Sequence, residues 1–217
     1  PTPELYSRDM EVKLLQEKRA SCISTCVTWH SLDRFGIHHQ NIAMNGPLYD
    51  FFEKDHRRIE ELLKKATADR HQIDEQGYHA FRTGLLRHIK MEEKILFPAA
   101  QKANGNVPLP LQAKLRLDHG ALTALMVVPP SPDIITVLWH VLEKHDELEE
   151  QPGGMYDMCE NLTHNETARL LDQLRRTPEV PVQPYNPAAY ALDSARRALQ
   201  RAGFDFETIL HGNTENG

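Results

Sequence analysis

The chain has 217 residues, 40% hydrophobic and 26% charged, with a net charge of −6; this suffices for an ordinary globular core and argues against a general nucleic-acid binder, which carries a basic face. No run approaches the roughly 20 apolar residues needed to span a bilayer, and no charged-then-apolar leader precedes a small-residue cleavage site. Three cysteines do not make a disulfide framework, so a reducing, cytoplasmic setting is expected.

Residues 1–43 are polar and irregular, with a helix predicted over about 3–29. Cys22, Cys26 and His30 share one face of that helix but bring no fourth donor. Residues 44–176 read as a helical bundle. Its first helix is predicted over 47–68, with Pro47 suited to a first-turn position. The second runs over 74–101. The third runs over 110–127 and ends before Pro129-Pro130; the fourth runs over 133–150 and ends before Pro152-Gly153-Gly154. A shorter fifth helix follows at 165–176. Long helices joined by short loops predict an all-α, up-down-up-down four-helix bundle. The stretch TPEVPVQPYNP (177–187) is an extended Pro-rich linker. It leads to a short C-terminal helix within 188–211, stopped by Gly203, in the final zone 177–217. Leu192, Ala195 and Leu199 give that helix a modest apolar stripe, which leaves two roles open: packing on the bundle or binding a protein partner.

Twelve histidines are many for this length, and histidine is the commonest metal-binding side chain. Several fall in an internal repeat. Asp55-His56 on the first helix is followed by His88-Ile-Lys-Met-Glu92-Glu93 on the second; Asp118-His119 on the third is followed by His145-Asp-Glu-Leu-Glu149-Glu150 on the fourth. Two helix pairs of one design suggest a pseudo-two-fold bundle with a site on its axis.

Helical phase gives the direction of these residues, since each position turns about 100°. Phe52, His56, Ile59 and Leu63 step by 4, 3 and 4. The same spacing links Phe81, Leu85, His88, Glu92 and Ile95, then Leu115, His119, Leu122 and Met126, then Leu138, Leu142, His145 and Glu149. Each of four helices therefore puts a histidine on its apolar face, and two add a glutamate one turn later. A lone core histidine is usually a satisfied polar residue. Four of them with two carboxylates are a different case, because a buried ionised carboxylate without a partner costs several kcal/mol. A bound dinuclear metal offsets that cost and takes the imidazole lone pairs. Mixed imidazole and carboxylate suits iron, manganese or zinc. With Glu92 and Glu149 as bridges, each ion has four protein donors and open positions. An open position on a redox-capable metal implies chemistry with O2, NO or peroxide.

Other features are set aside. Glu60 belongs with Glu61 to a solvated edge, and Glu93 should face outward or sit at the edge. His140 is peripheral, and His79 lies on the face opposite His88. Tyr156 and Cys159 read as core packing, with Tyr156 near the mouth of the site.

The segments YDFFEKDHRRIEELL, LLRHIKMEEKILFPA, LRLDHGAL and LEKHDELEEQPGGMYDMCE resemble the hemerythrin-like family, also called the hemerythrin HHE cation-binding domain. They cover roughly 47–165 and agree with it in order, spacing and helical phase. The resemblance implies a four-helix bundle with two non-haem iron ions, manganese or zinc being substitutes, that binds O2 or NO for sensing, storage or protection. Carried over by position, the metal ligands are His56, His88, Glu92, His119, His145 and Glu149. Two departures mark the broader bacterial HHE type: Thr123 stands where oxygen-carrying hemerythrin has a further histidine, and the fourth helix carries His-x3-Glu in place of His-x4-Asp. No catalytic residue is assigned. Two alternative functions share the site. One is a di-iron enzyme acting on peroxide or nitric oxide, with Glu93, Glu150 or Tyr156 as proton carriers. The other is an iron- or oxygen-responsive regulatory module whose output is 178–211.

Overall fold

The structure, a computed structural model, describes residues 45–69 and 72–212. The predicted N-terminal helix and its Cys22, Cys26 and His30 lie outside the described residues.

Every regular element among the described residues is helical. Helix α1 (Pro47–Ala66) begins at Gly46, whose lack of a side chain leaves the first amides uncapped locally. Glu160 supplies the cap from a distant segment: the amides of Leu48 and Tyr49 donate to its Oε2 at 2.7 and 3.2 Å. Helix α2 (Glu75–Met91) starts at Asp74, which accepts from the Gln76 amide. A π-helical turn (Glu92–Leu96) and α3 (Phe97–Ala103) continue it. The second helix is thus not the uninterrupted element expected over 74–101. Pro98 has no N–H to offer the Lys94 carbonyl, and the Phe97 amide instead bonds five residues back to Glu92. Helix α4 is Gln112–Leu125, and α5 is Pro132–Glu150, capped by Ser131.

Helix α6 (Met155–Thr163) falls between the fourth and fifth predicted helices, in a stretch to which no helix was assigned. Gly154 serves as its N-cap, and α6 packs against α1, α3 and α5. A 3-10 turn (His164–Glu166) leads to α7 (Thr167–Arg175). The linker then runs without regular structure to α8 (Ala189–Ala202) and α9 (Phe206–Gly212). It is fastened along α2: Arg82 donates to the Gln183 carbonyl at 2.6 Å, Arg87 to that of Thr177 at 2.8 Å and, in the last turn of α7, to that of Leu174 at 3.1 Å, and Lys90 to that of Pro178 at 3.3 Å. Helix α8 lies along α4, with Ala195 and Leu199 fully buried and Leu192 partly so. Gly203 closes it in the left-handed region at φ 87°. Among the described residues, no helix is long and apolar enough to cross a membrane.

The core forms two apolar clusters, and the histidines fall between them. Along α1, Phe52 belongs to one cluster and Ile59 to the other, with His56 between. The order reverses through Leu85, His88 and Met91 in α2. It reverses again through Leu115, His119 and Leu122 in α4, and once more through Leu142, His145 and Leu148 in α5.

Candidate metal centre

All six residues singled out by helical phase are buried: His56 and His119 are 4% exposed, and His88, His145, Glu92 and Glu149 2% or less. They arrive from α1, α2, the π-helical turn, α4 and α5. The structure brings them together as two groups of possible metal-ligating atoms, each within 4.8 Å: His56, His88, Glu92 and Glu149, and Glu92, His119, His145 and Glu149. The two glutamates belong to both groups.

Each imidazole turns Nε2 inward and has a carboxylate behind its Nδ1. His56 Nδ1 lies 2.6 Å from Glu150 Oε1. His88 Nδ1 lies 3.0 Å from Asp55 Oδ2, and His119 Nδ1 3.0 Å from Glu93 Oε1. His145 Nδ1 approaches Asp118 Oδ2 at 3.7 Å. Such a carboxylate fixes the tautomer and ring orientation of a metal-binding histidine. Every acidic and imidazole member of the repeat now has a place. Asp55 holds the histidine of the next helix, and Asp118 Oδ2 faces its counterpart, His145, without a hydrogen bond between them; Glu93 and Glu150 hold the histidines of α4 and α1. Glu93 and Glu150 therefore do not stand free at an outward edge. The signal that could have found them was the repeat itself, which doubles each glutamate.

Tyr156 was read as core packing at the mouth, and the structure places it at the centre. Its hydroxyl donates to Glu92 Oε1 or Glu149 Oε2 at 2.6 and 2.8 Å and lies 3.0 and 3.3 Å from Nε2 of His56 and His88. The first group is thus bridged by a phenol. The second is not: Glu92 Oε2, Glu149 Oε1 and His119 Nε2 are buried with no hydrogen-bond partner. His119 Nε2 and Glu92 Oε2 approach to 3.1 Å without hydrogen-bond geometry, as expected of donors aimed at a common third point.

The electrostatics follow from packing acids among bases. Burial alone would raise the Glu92 carboxyl, but the flanking His88 and His119 rings hold it well below the usual carboxylate range. Burial alone would lower His119, yet Glu92 and Glu93 push it up to about 10. Asp146, Glu149 and Glu150 likewise outweigh burial at His56 and hold it well above the usual value. Burial, then Glu149 and Glu92, push the Tyr156 hydroxyl well up, keeping it a proton donor. The donor set, its orphaned atoms and its oriented rings fit a cation, or a pair of them, of the kind that takes imidazole and carboxylate together.

Glu93 and Tyr156 excepted, the residues set aside stay apart from this cluster. Glu60 pairs with Arg57 at 2.8 Å, His140 packs on Phe204, and His79 is exposed. Thr123 is exposed, and Cys159 is a buried free thiol. Comparison with protein-family models, with curated proteins and with solved structures finds no match.

Proposed function

We infer that the chain is a hemerythrin-like protein: an up-down-up-down four-helix bundle (α1, α2 with its continuation, α4, α5) that binds two non-haem irons and, through them, O2 or NO for sensing, storage or protection. The observation that carries this reading is the sharing of Glu92 and Glu149 between two groups of four buried donors, the arrangement two bridging carboxylates require. The alternating order of the two apolar clusters along the four helices supports the topology. The likeness of the quoted segments to the hemerythrin-like family supports iron over manganese or zinc.

An iron pair held there supplies reversible redox chemistry with a small diatomic ligand. The chain contributes the rest. The carboxylates behind the histidines hold the rings with Nε2 aimed inward, and the two apolar clusters flank the Glu92–Glu149 layer and exclude water from it. Thr123 offers no imidazole one turn after His119, which leaves room on that side. Metal analysis of the purified full chain should give about two irons per chain, and the reduced protein should change its visible spectrum reversibly on exposure to O2 or NO. Full iron loading with no spectral response to either gas would remove the gas-binding part of this reading.

Tyr156 favours a second reading, turnover of peroxide or nitric oxide. Its hydroxyl is a proton donor within 3.3 Å of four of the six groups, whereas Glu93 and Glu150 are engaged with histidines and Arg116 or Arg57. Tyr156→Phe keeps the ring and removes the proton. Turnover that falls while iron content is kept supports an enzyme; no turnover in the parent protein dismisses one.

A further inference from the structure

The pairing of His56 with His119 and of His88 with His145 lets one side of the centre be compared with the other, position by position. Beside His56 a cavity of about 470 Å³ opens between α1 and α5. Its wall includes Glu60, Glu143, Asp146, Glu147 and Glu150, with Arg57 at the rim. The repeat-related positions on the His119 side hold Thr123, Leu86, Ile89, Lys90, Glu93 and Gly120. Only Glu150 has a carboxylate counterpart, Glu93, and those two hold histidines. The other four acids are therefore not needed to build the ligand frame, since the opposite side does without them.

Asp146 separates this wall from an ordinary acidic face. It is 7% exposed, and no N–H or O–H among the described residues donates to it; its nearest base is His56 Nε2 at 3.7 Å. Among the described residues, that long ion pair is the one favourable contact of a largely buried carboxylate, and an apolar residue, Ile89, serves at the matching place. The possible ligand atoms of Asp146, Glu150 and His56 form a third group within 4.8 Å of one another. His56 is common to this outer group and to the inner one. A cation held by Asp146 and Glu150 already stands beside the first inner donor.

We propose that the cavity between α1 and α5 is the port through which a divalent cation reaches the buried centre, with Asp146 as its receiving carboxylate and His56 as the link inward. This rests on the dinuclear reading of the centre. Carboxylates lining a cleft concentrate cations and raise their rate of capture. Arg57 is the gate: it is tied to Glu60 at 2.8 Å and to Glu150 at 2.5 Å, with its side chain 52% exposed, so solvent can receive it when it swings away.

The test uses the metal-free full chain mixed rapidly with Co2+, whose ligand-field absorption reports arrival at the inner donors. Asp146→Asn should slow loading roughly tenfold or more with the final Co2+ content unchanged. Asp146→Ile, which copies the opposite side, should be slow as well with helical content retained. Arg57→Gln should load faster than the parent. Raised ionic strength should slow the parent more than Asp146→Asn. Loading of Asp146→Asn at the parent rate overturns the port. A parent protein that takes up no Co2+ or iron overturns the dinuclear centre itself, a separate and recognisable failure.

Discussion

His88 Nδ1 donates to Asp55 Oδ2 at 3.0 Å across the contact between α1 and α2. The ionised carboxylate only accepts, so this bond fixes a proton on Nδ1 and turns Nε2 towards Glu92 and Tyr156. Burial by itself raises the Asp55 carboxyl, but His88 and Arg58 bring it down to about 2. Asp55→Asn therefore leaves all six inner groups in place and still weakens metal binding, by about 10- to 100-fold. Titration against a competing chelator measures this; unchanged affinity would show that Asp55 does not orient the ring for metal.

Sharing of the glutamates predicts an unequal response to single substitutions. Glu92→Ala or Glu149→Ala removes a donor from both groups and should abolish most metal uptake. His56→Ala or His145→Ala touches one group each and should leave about one ion per chain. Metal content per folded chain, with helicity as the control, decides between this and two independent sites.

The metal-free protein should respond to pH in an unusual direction. His119 has its pKa raised to about 10 and His56 well above the usual value. A group raised on folding adds stability below its unfolded value near 6.5 and loses that contribution as pH climbs towards the folded value. Thermal stability of the metal-free chain should fall from about pH 6.5 to about pH 10. Glu92, whose pKa is depressed, acts in the acid range: its contribution is present above the unfolded value and lost as pH falls below it. Bound cations take the place of these protons, so the loaded protein should keep its stability on the alkaline side. A metal-free melting curve flat across that range would remove the ion-pair network.

Loss of the remote cap tests how α1 is held. Glu160→Ala leaves the Leu48 and Tyr49 amides without their acceptor and should cost about 1–2 kcal/mol in denaturant unfolding. The same substitution loosens the junction of α1 and α6, which carries Tyr156.

The linker is expected to yield when its fastening is cut. Arg87→Ala removes the bonds to the Thr177 and Leu174 carbonyls, and limited proteolysis within 177–187 should become several-fold faster. If metal loading also changes the cleavage rate in the parent protein, the regulatory alternative gains support; identical rates with and without metal would dismiss it.

The period of 3.6 residues, read from the chain alone, was enough to find the four long helices and to point His56, His88, His119, His145, Glu92 and Glu149 inward, because a side chain's direction about its own axis depends only on its position along that helix. Pro129-Pro130 and Pro152-Gly153-Gly154 also marked where helices end, whereas the second helix was read straight through Pro98 and the π-helical turn at Glu92–Leu96 was missed. What the helical period does not contain is the register between helices. That register decides which acid meets which ring, so Glu93 read as an outward or edge residue until α4 was set beside it, and Glu150 had no partner until α1 was set beside it. It also decides where α6 lands: Tyr156 belongs to a short helix with no long apolar stripe, and only its packing against α1, α3 and α5 carries the phenol into the centre. The apolar face of α8 was equally open to α4 or to another protein until tertiary contacts buried it against α4.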